Sequence, residues 1–386
     1  MKKFLDGIVR VMSGLSGLLM VACAQLPDGG TVGLVDHYVP VVSSAPGMAG
    51  NVSQLYVRER TQAQVSGSGA LEGKVVLFIH GAGTPAEVAF DVPYPGYGWM
   101  AYLAAAGMDT FAMDTTGYGR STRPLAMNDR CNLSPSQQME VFGDSCAASQ
   151  ESAVTTMASD WQDIDAVVDY LRALRSVSRI HLVGWSQGGP RAAGYAAQHP
   201  EKVANIVLLA PAYNRNLPAT AGQANLAGVA MTKQSRADFV SNWERQVGCT
   251  QQYEPAVLEA VWQAMLASDP VGAGWGTGVR RAPRTPTFGW TPAVVKATRT
   301  PILMVAGSHD AQVQPARVRE FYQDLGAEKK VYVEMACSSH NAMWERDARQ
   351  LFDASLQWLT TTSFRGVSSG MLKMEEELTG NRTGNN

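Results

Sequence analysis

The sequence is poor in charge and in histidine. Lysine, arginine, aspartate and glutamate make up 17% of its 386 residues, the net charge is −2, and histidine occurs six times. With no basic stripe to follow a phosphate backbone, nucleic acid is excluded as a partner. The five cysteines form no C-x-x-C pair and no cluster with histidine, which removes zinc-finger and iron–sulfur readings. Internal repeats and a dinucleotide fingerprint are also missing, and no metal or cofactor is implied. The most apolar segment near the N-terminus, 11–21, falls short of the ~20 residues of a membrane-spanning helix. What the chain does have is 45% apolar residues, enough for a large core and an accessory element.

Segment 11–21 has a different use. Lys2, Lys3 and Arg10 precede it and Ala22-Cys23-Ala24 follows, which is a charged region, a short apolar region and a small-x-small cleavage site. Residues 1–24 are therefore expected to be a secretory signal peptide, sending the protein to the periplasm or outside the cell. Met20-Val21-Ala22-Cys23 also resembles a bacterial lipobox, with Met20 in the usual leucine position. On that reading the signal is 1–22 and Cys23 carries a lipid anchor. Export suits the four remaining cysteines, Cys131, Cys146, Cys249 and Cys337, an even number for an oxidising compartment. Cys131–Cys146 is the favoured pair because it closes a short loop, with Cys249–Cys337 as its complement.

The stretch 179–189, R-I-H-L-V-G-W-S-Q-G-G, organises the rest. Residues 180–183 are an apolar, β-branched run of strand type, and the Ala-rich segment 190–198 reads as a helix. A serine between two glycines at a strand-to-helix junction is the nucleophile-elbow pattern G-x-S-x-G, here Gly184 to Gly188. Short apolar runs of the same strand type lie at 74–79, 108–113, 203–210, 301–306 and 330–335, with helix-like segments at 99–106, 152–174 and 341–359. That alternation predicts a mostly parallel sheet covered on both faces, with an edge pair from 34–44 and 55–63. Segment 212–298 breaks the pattern with helix-like pieces, a Gly/Pro/Arg-rich run and four tryptophans; it is expected to be a helical cap. The core is then 25–211 with 299–360, and 361–386 a polar, flexible tail.

A serine hydroxyl needs a base, and the base an orienting acid. In the order nucleophile, acid, histidine that accompanies this elbow, the base follows Ser186. His199 sits at the far end of the helix after the elbow, and His309 touches the best acid and leaves no room for the order. His340, in the loop after the last strand, remains. The acid should stand just past a strand's carboxyl end, and Asp310 in Gly307-Ser308-His309-Asp310 does so. Two backbone N–H groups complete the requirement. Gln187, after the nucleophile, supplies one, and Ala82 in His80-Gly81-Ala82-Gly83 is expected to supply the other.

The ordered motifs H-G-A-G, D-T-T-G-Y-G-R-S, G-W-S-Q-G-G, G-S-H-D and S-S-H resemble the α/β-hydrolase superfamily, in the branch with a helical cap. The resemblance covers about 71–359. It implies an eight-stranded α/β-hydrolase sheet with the cap after the sixth strand, Ser186 as nucleophile, His340 as base and Asp310 as orienting acid. Relatives that work through an elbow aspartate, haloalkane dehalogenases and epoxide hydrolases, are excluded by Ser186. Hydrolysis of carboxylic esters or lactones is the expected activity, on small to medium, apolar or aromatic substrates lined by Trp185 and Trp344. A prolyl-type aminopeptidase is the alternative, and would need Glu244, Glu254, Glu259 or Asp269 to hold an ammonium. Carbon–carbon bond hydrolysis, cofactor-free perhydrolysis and a non-catalytic binding protein on the same fold stand behind these.

Overall fold

The computed structural model describes residues 22–25, 31–62, 71–216, 227–286 and 289–375. Three strands open the chain, β1 (Ala22–Gln25), β2 (Thr31–Val42) and β3 (Val52–Gln62). Four short strands follow: β4 (Val75–Ile79), β5 (Asp109–Met113), β6 (Ile180–Trp185) and β7 (Val203–Leu209). β8 (Met231–Ser235) and β9 (Val279–Pro283) form a separate antiparallel pair. β10 (Ile302–Gly307), β11 (Lys330–Met335) and β12 (Ser369–Met374) return to the main sheet, whose order is β1-β2-β3-β5-β4-β6-β7-β10-β11-β12. Pairing is parallel from β5 to β12 and antiparallel from β1 to β5.

Strand pleating divides the core into two layers. Val76, Phe78, Val183, Val207, Leu303, Val305 and Val333 point to one face, and Leu77, Ile79, Leu182, Leu208, Ile302 and Met304 to the other. Successive residues alternate sides, so a strand buried on both faces must be apolar throughout. The first face is covered by α1 (Ala86–Phe90), α2 (Trp99–Ala105) and the final helix. Before β6 come α3 (Pro135–Phe142) and α4 (Met157–Arg175), and after it α5 (Gly188–Gln198). α4 and α5 cover the second face. Between β7 and β10 lie α6 (Arg236–Glu244), α7 (Pro255–Ala267), α8 (Pro270–Ala273) and α9 (Pro292–Ala297). α10 (Pro315–Asp324) precedes β11, and α11 (Ala348–Thr361) precedes β12.

The structure departs from expectation in four places. The eight strands β2–β7, β10 and β11 are joined by one more at each edge, giving ten. The strand β12 falls in the tail expected to be flexible: α11 crosses the sheet and returns the chain parallel to β11, where Met374 is buried. The cap contains a two-stranded sheet as well as helices. It also recruits the 122–151 insertion, whose Met127 and Leu133 pack with Met231 and Val154 in a satellite cluster, whereas α9, at its expected end, buries Val295 in the main core. Of the expected leader, only 22–24 are described; with Gln25 they pair along β2, Cys23 opposite Gly33.

Both expected disulfides are present, Cys131–Cys146 inside the insertion and Cys249–Cys337 between the cap and the loop after β11. No helix among the described residues is long and apolar enough to cross a membrane.

Candidate active site

Ser186 stands at the end of β6 with φ +58°, a left-handed conformation that costs a non-glycine residue about 1–2 kcal/mol. Its backbone is fixed from both sides. Ser186 N–H donates to Leu209 O at 2.9 Å, and its carbonyl accepts from Gly189 and Ala212. The glycines permit the tight turn: a Cβ on Gly184 would lie 2.5 Å from Gly188 O, and one on Gly188 would lie 2.3 Å from Ile79 O. The turn therefore lifts the serine side chain above the carboxyl edge of the sheet.

Asp310 follows β10 and His340 follows β11, neighbouring parallel strands whose ends lie side by side. His340 Nδ1 donates to Asp310 Oδ2 at 2.8 Å in a buried pair. The other carboxylate oxygen accepts the backbone N–H groups of Gln312 and Val313 at 2.7 and 2.8 Å. That leaves Nε2 as the ring nitrogen away from the acid. Trp185 Nε1 donates to His340 O at 2.8 Å and the two rings stand 5.4 Å apart. The loop is fastened beneath by Glu345, which accepts from Ser339 N, Trp243 Nε1 and Gln252 Nε2. Burial pushes the Glu345 carboxyl above its usual range, and these donors act against that shift.

The loop after β4 meets the elbow so closely that a Cβ on Gly81 would lie 3.0 Å from both Ser186 Cβ and Trp185 O. Arg191, on α5 and fully buried, donates from Nη1 to His80 O at 2.9 Å and Gly81 O at 3.1 Å. Its Nε donates to Asp160 Oδ2 at 2.7 Å. His80 Nδ1 also donates to Gly81 O, and Nε2 accepts from Thr115 N, which assigns the tautomer. Burial and the adjacent Arg191 push His80 well below the usual imidazole range. A trans peptide holds its C=O and the next N–H in opposite directions, so pinning Gly81 O turns the Ala82 N–H away from Arg191. The sequence motif pointed to this loop; the buried Arg191–Asp160 pair behind it was missed, since nothing in the spacing joins α4 to α5.

Two cavities flank Ser186, and Ala82 and Arg280 border both. One of about 90 Å³ is bounded by Trp185, His340 and Trp344 from the core and by Phe239 and Asn242 from α6. The wider one, of about 420 Å³, passes Gln187, Tyr118 and Pro283. Trp185 and Trp344 line the smaller cavity, and the four cap tryptophans line neither. Trp243 and Trp262 pack in the core layer under the cap, Trp275 lies beneath the Arg281 guanidinium, and Trp290 packs on Phe321. The lining is more polar than an aromatic slot: Gln234, Arg280 and Gln312, none singled out by the sequence, share it. The cap carboxylates point elsewhere. Glu254 accepts from Tyr94 and Tyr97, Glu259 pairs with Arg236, Asp269 with Arg281, and Glu244 is exposed. Among the described residues no group of three His, Cys, Asp or Glu is placed to hold a metal ion.

A β-sheet with a serine elbow, an acid–histidine pair at the ends of two neighbouring strands further along it and a cap above them defines a class. The family model described as the alpha/beta hydrolase fold matches residues 74–347, and the chain belongs to that family. A thermophilic esterase from Thermogutta terrifontis is similar in structure, with 16% identity, a TM-score of 0.50, and coverage of 84% of this chain and 98% of that one. A monoacylglycerol lipase from Paleococcus ferrophilus is similar at 17% identity and a TM-score of 0.48, over 80% of this chain and 99% of that one. At such identities the likeness is one of fold. A curated relative, the PhaC subunit of a poly(3-hydroxyalkanoate) polymerase from Allochromatium vinosum, is 46% identical over 46 residues; the match spans 12% of this chain and 13% of that protein.

Proposed function

We propose that the protein is a serine hydrolase that cleaves carboxylic esters, lactones included, through an acyl-enzyme on Ser186. The observation that carries this reading is the His340–Asp310 bond of 2.8 Å beside a cavity that His340, Ser186 and Ala82 line together. His340 Nε2 takes the Ser186 proton as Oγ attacks the carbonyl carbon. Asp310 fixes the ring and stabilises the imidazolium. The oxyanion receives the N–H groups of Ala82 and Gln187, each worth about 2.7–4 kcal/mol in the transition state. His340 then protonates the departing alcohol, and a water deprotonated by the same nitrogen releases the acid.

Esters are favoured over peptides because, among the described residues, no carboxylate lines either cavity to hold a substrate ammonium, which the aminopeptidase alternative requires. The two cavities beside Ser186, of about 90 and 420 Å³, suit small to medium substrates. Two disulfides support an exported enzyme working in an oxidising compartment. A panel of p-nitrophenyl esters and amino-acid anilides, with phosphonate labelling of the wild type and of Ser186→Ala, tests the reading. Ester turnover and labelling, both lost in the variant, are expected. Labelling that survives in Ser186→Ala would sink it.

A further inference from the structure

Arg191, Arg280 and Arg281 are the arginines buried among the described residues. Two are neutralised: Arg191 by Asp160 at 2.7 Å, and Arg281 by Asp269 at 2.6 Å. Arg280 pairs with no carboxylate among the described residues. Its hydrogen bond there runs from Nη2 to the neutral Gln234 Oε1 at 2.6 Å, and its Nε finds no acceptor. An uncompensated charge in such a place costs several kcal/mol. Burial pushes this guanidinium down to about 10, the direction expected of a cation lacking a counter-charge. The nearby acids are committed elsewhere, Asp269 to Arg281 and Arg123, and Asp238 to Lys233.

The location gives the cost a purpose. Arg280 borders both cavities beside Ser186, and its guanidinium lies on the backbone of Gly83, where a Cβ would fall 2.3 Å from Nη1. The smaller cavity is also lined by Gln234, Asn242 and Gln312, and the wider one by Arg284. Among the described residues, no aspartate or glutamate lines either.

Building on the ester-hydrolase reading, we propose that Arg280 anchors a free carboxylate on the substrate, so that the preferred esters are anionic. A guanidinium fork matches a carboxylate edge to edge, and the bound anion supplies the counter-charge that the fold withholds. Binding energy is then concentrated next to the reacting carbonyl, where it serves orientation.

The test compares esters that differ only in charge. Monoethyl glutarate and adipate place the carboxylate on the acyl side, and 3-butanoyloxypropanoate places it on the alcohol side; each is set against its carboxamide isostere. On one side, wild-type kcat/KM is expected to favour the carboxylate by about tenfold or more. That ratio should fall to about one in Arg280→Gln and stay intermediate in Arg280→Lys, since a lysine keeps the charge but not the fork. Phosphonate labelling of Ser186 and the melting temperature show that each variant is folded. A ratio near one on both sides in the wild type overturns the proposal while leaving ester hydrolysis intact. So does a ratio unchanged in Arg280→Gln, or inhibition by inorganic phosphate without any carboxylate preference. Absence of all ester hydrolysis, with no labelling of Ser186, would bring down the underlying enzymatic reading as well.

Discussion

The two walls of the cleft are built on opposite terms. On the core wall each charge has an internal partner: Arg191 has Asp160, and Asp310 has His340 and two backbone N–H groups. On the cap wall Arg280 has a neutral amide and, among the described residues, no counter-charge. On the proposed reading, the groups that hold one geometry through the reaction are closed among themselves, while the group that meets the ligand keeps donors to spare. The contrast separates chemistry from recognition along a single cleft, and changes to each wall should have different signatures.

The largest effect belongs to the core wall. Ser186→Ala and His340→Gln should each lower kcat by about 10³–10⁶-fold with melting temperature nearly kept, as measured by steady-state kinetics and calorimetry. A loss below tenfold would mean that another group attacks. Next comes the support behind the loop after β4. Asp160→Asn strands the Arg191 charge in a fully buried site, and should cost about 3–5 kcal/mol in denaturant unfolding. Replacing both partners, as Asp160→Leu with Arg191→Met, should recover part of that stability but not the rate, because Gly81 O keeps only its His80 donor and loses that from Arg191. Recovery of both would show that Arg191 does not position the loop.

A smaller effect joins the walls. Cys249–Cys337 ties the cap to the loop that ends in His340, so Cys249→Ser with Cys337→Ser should cost about 2–4 kcal/mol and reduce kcat more than KM changes. Removing Cys131–Cys146, inside the insertion, should affect stability and leave kcat within about twofold.

The smallest is a pH effect. Burial raises the Asp163 carboxyl to about 7, opposed by its bond from Thr116 N and reinforced by the charge of Asp160. The folded state thus holds this proton more tightly than the unfolded chain, whose carboxyl titrates near 4. Stability from this group is lost as pH rises from about 4 to about 7 and is constant above. Asp163→Asn should therefore gain on the wild type across that window, read as a melting-temperature difference that is larger at pH 8 than at pH 4. Taking the difference between the two proteins cancels the opposite contributions of the neutral His80 and His181. An advantage that shrinks with rising pH would contradict the assignment.

How legible was this molecule before its structure? The parallel strands were plain, because burial on two faces demands unbroken apolar runs such as Val75–Ile79. The strand ends that carry Ser186, Asp310 and His340 were also legible, since each residue follows the carboxyl end of a parallel strand, and the Asp310–His340 bond joins two of them. β12 was hidden, since Ser369–Met374 is half exposed at an edge and lacks an apolar run. The cap's paired strands were hidden too, for Met231–Ser235 is polar apart from its first residue and acquires its partner from about fifty residues away.

What the sequence determined by itself is the periodic part: which segments alternate or run apolar, and where glycine allows the backbone to turn at Gly184 and Gly188. Tertiary structure alone decided the fates of Arg280 and Arg281, two identical letters in a row. On β9 adjacent side chains leave from opposite faces, so one meets Asp269 and the other meets the cleft. A residue's charge is written in the chain, but its counter-charge is a matter of what the fold brings across from elsewhere.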